Sequence, residues 1–132
     1  MRNIDAAIDV LGRLRAMGFG LSLDDFGTGC SSLSYLARLP MSELKIDRSF
    51  VTDVARGGRD SALAAAVIAL AAELDLQVVA EGVETEEQSA FLLGRGCVLQ
   101  QGCLFSRQVP QAAFEQMLKT GTTRPAEVVA AA

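Results

Sequence analysis

The sequence predicts an α/β fold in which a parallel sheet is covered by helices. Three observations predict it. Segments with apolar residues at helical spacing alternate along the chain with short runs of period-2 alternation. Successive strand starts are separated by about one βα unit, the rhythm of parallel pairing. Charged residues collect where the strand-like runs end, and in parallel βα folds that is the end where ligands bind.

Taken in order, Ile4, Ala7, Ile8, Leu11 and Leu14 recur at helical spacing, with Arg13 and Arg15 off that face. Asn3 is placed to cap this helix and Gly18 to end it. Phe19, Leu21 and Leu23 then alternate with Gly20, Ser22 and Asp24 as a short strand. A glycine-bracketed turn and a Ser-rich segment lead to Pro40, after which "ELKID" (43–47) alternates again. An alanine-rich helix from about Asp60 to Leu74 is apolar around so much of its circumference that it is expected to be covered on several sides. "LQVVAEGV" (76–83) is the next strand. Thr85 with Gln88 makes a capping box for a helix to Arg95, with Gly96 as its stop. A last strand lies within 98–106, Pro110 opens a final helix through Leu118, and the residues from Thr120 on read as a frayed tail. The order is α-β-(α)-β-α-β-α-β-α, with about four parallel strands.

Composition narrows the function classes. A chain of 132 residues, 50% hydrophobic with a net charge of −4, has an ordinary globular balance and enough length for one domain. Its acidic balance and lack of a Lys/Arg cluster argue against a nucleic-acid polymer as partner. The longest apolar run, Ala62 to Ala72, falls short of the roughly 20 residues that span a bilayer, so no membrane segment is expected. No basic stretch followed by an apolar run opens the sequence, so a secretory precursor is not expected. Cys30, Cys97 and Cys103, an odd set, read as free thiols in a reducing compartment, and the expected location is cytoplasmic. With no histidine, every Ser-His or Cys-His nucleophile and any Cys/His zinc site is excluded.

The candidate chemistry sits at the strand ends. Asp24, Asp25, Asp47, Glu81 and Gln101 all lie at or near the C-terminal ends of their strands. Period-2 alternation allows Asp24, Lys45 and Glu81 one face of the sheet, with their Leu and Val neighbours toward the helices. Two anions and a cation converging there make a site for a metal and a phosphate-like group. Adjacent carboxylates repel one another when buried unless a cation compensates, and a hard divalent ion is the usual one. Each residue also has an ordinary reading on its own. Asp-Asp before Gly serves as a turn or a helix cap, Lys45 as a solvated strand residue, and Glu81 and Glu84 around Gly82-Val83 as a helix-entry turn. Gln101-Gly102 reads as a bulge or bend. "DFG" invites a protein-kinase reading, which fails without a Gly-rich loop or a histidine for the catalytic loop.

In combination the residues are more specific. "LSLDDFGTG.SSLSYL..LP...LKIDRSFV", "VVAEGVET.EQ" and "QG.LFSR", in this order and spacing, resemble the C-terminal half of EAL domains, bacterial phosphodiesterases that linearise cyclic di-GMP to pGpG. The resemblance implies an α/β fold forming the C-terminal half of a TIM-type (β/α)8 barrel over residues 3–118, with 119–132 as a flexible tail. It implies Mg²⁺ or Mn²⁺ as cofactor and cyclic di-GMP as ligand. By the same resemblance Asp24 is a metal ligand, and Asp25 a second-metal ligand that contacts the attacking water. Lys45 holds and polarises that water, with Asp47 in support. Glu81 acts as ligand or base on the metal-water side. Glu84 is a further acidic position of its loop, and Gln101 contacts the site from the last strand. Thr28, Gly29, Ser31 and Ser32 match the loop that couples metal binding to dimerisation.

The departures from the family pattern also carry expectations. The Glu-Ala-Leu strand, and the Asn and Glu of the strands after it, have no counterpart here, and a TIM barrel takes about 250 residues. Cys30 and Cys103 stand where the family shows tyrosine, Val98 where it shows aspartate and Gln108 where it shows proline. The expectation is a truncated phosphodiesterase domain with little activity alone, which self-associates or pairs with a complementing half-barrel to cover its sheet edges. The alternative from another class is a degenerate, non-catalytic module that binds a nucleotide or a partner protein.

Overall fold

The computed structural model describes residues 4–26 and 36–121. They form helix α1 (Ile4–Ala16), strands β1 (Ser22–Phe26) and β2 (Glu43–Ile46), and the short helix α2 (Arg48–Val51), followed by a 3-10 turn (Val54–Arg56). Helix α3 (Arg59–Glu73), strand β3 (Gln77–Glu81), helix α4 (Glu86–Gly94), strand β4 (Leu99–Gln101) and helix α5 (Gln111–Thr120) complete them. The four strands lie side by side in chain order, β1-β2-β3-β4, and every neighbouring pair is parallel. Strands that follow one another without reversal are laid down as in a barrel, with the connecting helices on one face.

Helix boundaries follow local chemistry. Gly18, at φ +93°, ends α1 in a Schellman pattern: its N–H bonds to Arg15 O at 2.9 Å and that of Phe19 to Leu14 O at 3.1 Å. Phe19 therefore belongs to the helix cap, and Leu21 N–H donates to Ser42 Oγ at 2.8 Å instead of to a strand. For that reason β1 begins at Ser22, later than the alternation from Phe19 predicts, and Asp24 and Asp25 fall inside the strand. Gly96 closes α4 by the same Schellman geometry.

The capping box of α4 forms as expected, and its glutamine does more than cap. Buried Gln88 accepts from Glu84 N–H at 2.7 Å and Thr85 N–H at 3.0 Å through Oε1, while Nε2 donates to Thr52 O at 2.9 Å. It ties the start of α4 to the end of α2. Gln88→Ala strips partners from three part-buried backbone groups, and a loss of about 1–2 kcal/mol is expected in urea unfolding. A midpoint within experimental error of the parent would contradict this role.

The core lies between the sheet and its helices. Leu44, Ile46 and Ala80 from the strands meet Val51, Ile68, Ala71 and Leu92 from the helices, all buried. The alanine-rich helix differs from expectation. One stripe of α3 is buried (Ser61, Ala64, Ile68, Ala71), while Ala62, Ala66, Ala69 and Ala72 face outward. Alanine is the strongest helix former and exposes little apolar area, so an alanine-rich face tolerates solvent. No described helix is long and apolar enough to cross a membrane.

Register at β1 shows a feature that alternation alone misses. Leu23 pairs with Leu44 and Phe26 with Ile46, so Asp24 and Asp25 together oppose the single residue Lys45. This is a β-bulge, one extra residue on one strand. Strict alternation from Leu23 would assign Asp25 to the helix-covered face; the extra residue gives that place to Phe26, which is buried with Ile46.

Candidate functional site

Three strand ends bring the charged residues together. Lys45 lies one residue before the end of β2, between Leu44 and Ile46, whose side chains are buried on the helix side; its own therefore takes the other face. Its ammonium Nζ is 3.2 Å from Asp24 Oδ2 on one neighbouring strand and 2.5 Å from Glu81 Oε1 on the other. Lys45 and Glu81 are mostly shielded from solvent, whereas 59% of the Asp24 side chain is exposed. The Glu81 hydrogen bond, then that of Asp24, raises the lysine pKa above its ordinary 10.5, outweighing the opposing effect of burial. Alternation thus placed Asp24, Lys45 and Glu81 correctly on one face.

The other expected residues take varied places. Asp47 caps α2: its Oδ1 accepts from Ser49 N–H at 2.9 Å, and bonds from Ser49 hold its carboxyl below the usual range. Gln101 ends β4 directly opposite Glu81 in the β3–β4 register. Glu84 receives Arg48 Nη2 at 2.7 Å. Asp25 sits next to Asp24 in the bulge. Thr28, Gly29, Ser31 and Ser32 lie outside the described residues.

Beside the acid–lysine–acid cluster opens a cavity of about 570 Å³, lined by Arg48, Glu81, Gln101, Cys103, Ser106 and Arg107 among others. Glu81 is the wall it shares with the cluster. Sequence reasoning assigned neither arginine a role, although both stand in the matched motifs, Arg48 in "LKIDRSFV" and Arg107 in "QG.LFSR".

Among the described residues no group of three or more Asp, Glu, Cys or His side chains is close enough to hold a metal. The donors that do converge nevertheless suit a hard divalent ion. Asp24 and Glu81 both reach one point, now taken by the Lys45 ammonium, so their oxygens already share a cation. Mg²⁺ binds through one or two carboxylates and keeps several waters.

Carboxylates and a lysine gather at the ends of sequentially ordered parallel strands, beside a cavity, in an α/β protein of barrel type. The chain belongs to the EAL domain family, which it matches over residues 1–108. It is 56% identical over 119 residues to the cyclic di-GMP phosphodiesterase NbdA of Pseudomonas aeruginosa, a span of 90% of this chain and 15% of NbdA. The PaMucR phosphodiesterase, solved as a c-di-GMP complex, superposes with a TM-score of 0.79 at 52% identity over 86% of this chain and 46% of that one. Klebsiella pneumoniae BlrP1, solved as a manganese/cy-diGMP complex, gives 0.73 at 42% identity over 80% of this chain and 27% of that one. The chain therefore spans about half of the PaMucR structure and a small part of NbdA. The solved neighbours are EAL domains of TIM-barrel type, and this chain corresponds to part of one.

Proposed function

We propose that this chain supplies part of the active site of a metal-dependent phosphodiesterase that hydrolyses cyclic di-GMP to linear pGpG. The observation that carries the reading is the Lys45 ammonium held between Asp24 and Glu81 at the ends of three adjoining strands. The PaMucR and BlrP1 complexes, which hold this ligand, support it. Asp24, Asp25 and Glu81 would hold Mg²⁺ or Mn²⁺. When bound, such ions neutralise the phosphodiester oxygens and acidify a water for in-line attack.

The chain's own residues prepare that attack. Lys45, kept charged by its two carboxylate partners, presents a donor toward the attacking water and the phosphate. Glu81, whose carboxylate faces the same point as the ammonium, would act on the metal-water side as ligand or base. Gln101, opposite Glu81, offers an amide to the ligand from the last strand. Asp47 acts indirectly, by starting α2 immediately after the strand that carries Lys45. The EAL-motif strand and the Asn and Glu ligands after it have no counterpart in these 132 residues, so the chain alone is expected to turn over cyclic di-GMP slowly at best. A complementing half-barrel that carries those strands would restore the missing ligands, whereas a second copy of this chain would cover sheet edges without supplying them.

Equilibrium binding of cyclic di-GMP with and without Mn²⁺ tests the reading. Binding is expected to require the metal and to weaken about tenfold or more in Asp24→Ala, the loss of one charged ligand contact. Metal-independent binding would instead favour an interaction module, and no binding in any condition would remove the catalytic reading.

A further inference from the structure

We infer that Arg48 and Glu84 form a positioning brace that holds Glu81 against Lys45; the inference deepens the phosphodiesterase reading and rests on it. Glu81 is the last residue of β3, and the chain turns directly after it through Gly82 at φ +71°. Such a turn does not by itself fix where the Glu81 carboxylate points. The stem of Arg48 lies across the turn so closely that a Cβ at Gly82 would overlap Arg48 Cγ, Cβ and Cδ alike. Beyond the turn, the Arg48 guanidinium bonds Glu84 Oε1 at 2.7 Å. Glu84 is in turn anchored through its N–H to Gln88 Oε1.

Lys45 and Arg48 are three residues apart across the β2–α2 junction, and Glu81 and Glu84 are three apart across the β3–α4 junction. The two junctions are therefore tied twice, by Lys45–Glu81 facing the site and by Arg48–Glu84 outside it, with Gly82 between the ties. The outer pair is substantially exposed, 65% and 45% for the two side chains, and exposed ion pairs contribute little to stability. What this pair does fix is geometry. A carboxylate that must meet both an ammonium and a reacting phosphate is sensitive to displacements of about 1 Å, which can cost on the order of 100-fold in rate.

The test uses Arg48→Met, Glu84→Gln and the charge-swapped double variant Arg48→Glu/Glu84→Arg. One readout is independent of activity. The chain has two lysines, Lys45 and Lys119, so ¹³C-lysine labelling gives two side-chain signals, with Lys119 near the end of α5 as reference. At constant neutral pH, the two ε protons of braced Lys45 are expected to be inequivalent in the parent. In each single variant they should collapse toward the Lys119 pattern while the melting temperature stays within a few degrees. Mn²⁺-dependent cyclic di-GMP binding should weaken about tenfold in the single variants and recover to within about threefold in the double, a coupling typical of paired charges. Unchanged Lys45 signals in the single variants would overturn the brace whether or not the parent binds the nucleotide. Weakened binding that the swap does not restore would also overturn it, because Arg48 would then act on the ligand directly. A parent that binds no cyclic di-GMP but loses its Lys45 signature in the single variants would retain the brace and sink the phosphodiesterase reading alone.

Discussion

Lys45→Met is expected to lower metal-dependent turnover of cyclic di-GMP by at least about 100-fold in a protein that contains this segment within a complete domain, the usual cost of losing a charged group aimed at the reacting oxygens. Methionine keeps the unbranched stem and removes only the charge. Asp24 and Glu81, which lie 3.2 and 2.5 Å from that charge, would then face each other with no cation between them. Added Mn²⁺ can replace the missing cation, so metal affinity should be retained or increased while turnover is lost. Mn²⁺ binding followed by electron paramagnetic resonance, beside chromatographic assay of pGpG, separates the two effects. Turnover above a third of the parent's would remove Lys45 from the chemistry. The same ion pair has a defined pH signature. Because the folded-state pKa of Lys45 is raised above 10.5, the stability that the pair contributes is complete below that value. On the lysine's side it is lost as pH climbs through the raised pKa, so changes within the neutral range leave the ammonium charged.

The largest stability effect is expected from Gly102→Ala. A Cβ there would overlap the N, C and O atoms of Val83, and backbone cannot rotate away as a flexible side chain can. Val83 is itself immobilised. Its side chain is fully buried, its N–H bonds Gln101 O at 3.1 Å, and its carbonyl accepts from Leu104 N–H at 3.0 Å. Relief of the overlap must separate the end of β4 from the turn after β3, so a loss of about 3 kcal/mol or more is expected, at the upper end of overpacking costs. Gly94→Ala is the matched control. Gly94 is the last residue of α4, and a Cβ there meets nothing within 4 Å, so alanine should stabilise by roughly 0.5–1 kcal/mol through helix propensity and reduced unfolded-chain entropy. Urea unfolding of the two variants should therefore move in opposite directions. An unshifted midpoint for Gly102→Ala would show that the close approach to Val83 is not obligatory. Gly102 also lines the cavity beside Glu81, so the same close packing that stabilises the fold shapes the candidate site.

Much of this protein was legible from short stretches of chain. The alternation of periods 3.6 and 2, the Thr85–Gln88 capping box and the stop signals at Gly18 and Gly96 each rest on a few neighbouring residues. Each formed where local chemistry places it. The charged positions at strand ends could be read for the same reason, because side-chain alternation assigns Lys45 to the face opposite Leu44 and Ile46 without reference to any other strand. What the neighbours of a residue could not decide was which partner it meets. The two-against-one register that sets Asp24 and Asp25 opposite Lys45 exists only once β2 lies beside β1. Lys45 meets Asp24 across 21 positions of sequence, and Arg48 meets Glu84 across 36. Gly102 needs to be glycine only because Val83 backbone lies against it, and the outer alanines of α3 remain uncovered only because the sheet reaches one side of the helix. Periodicity, caps and turns are written in the chain because they satisfy hydrogen bonds and sterics within a few residues. Register, pairing and close backbone approach belong to the tertiary structure, because they are set by distant segments whose meeting has no local signature.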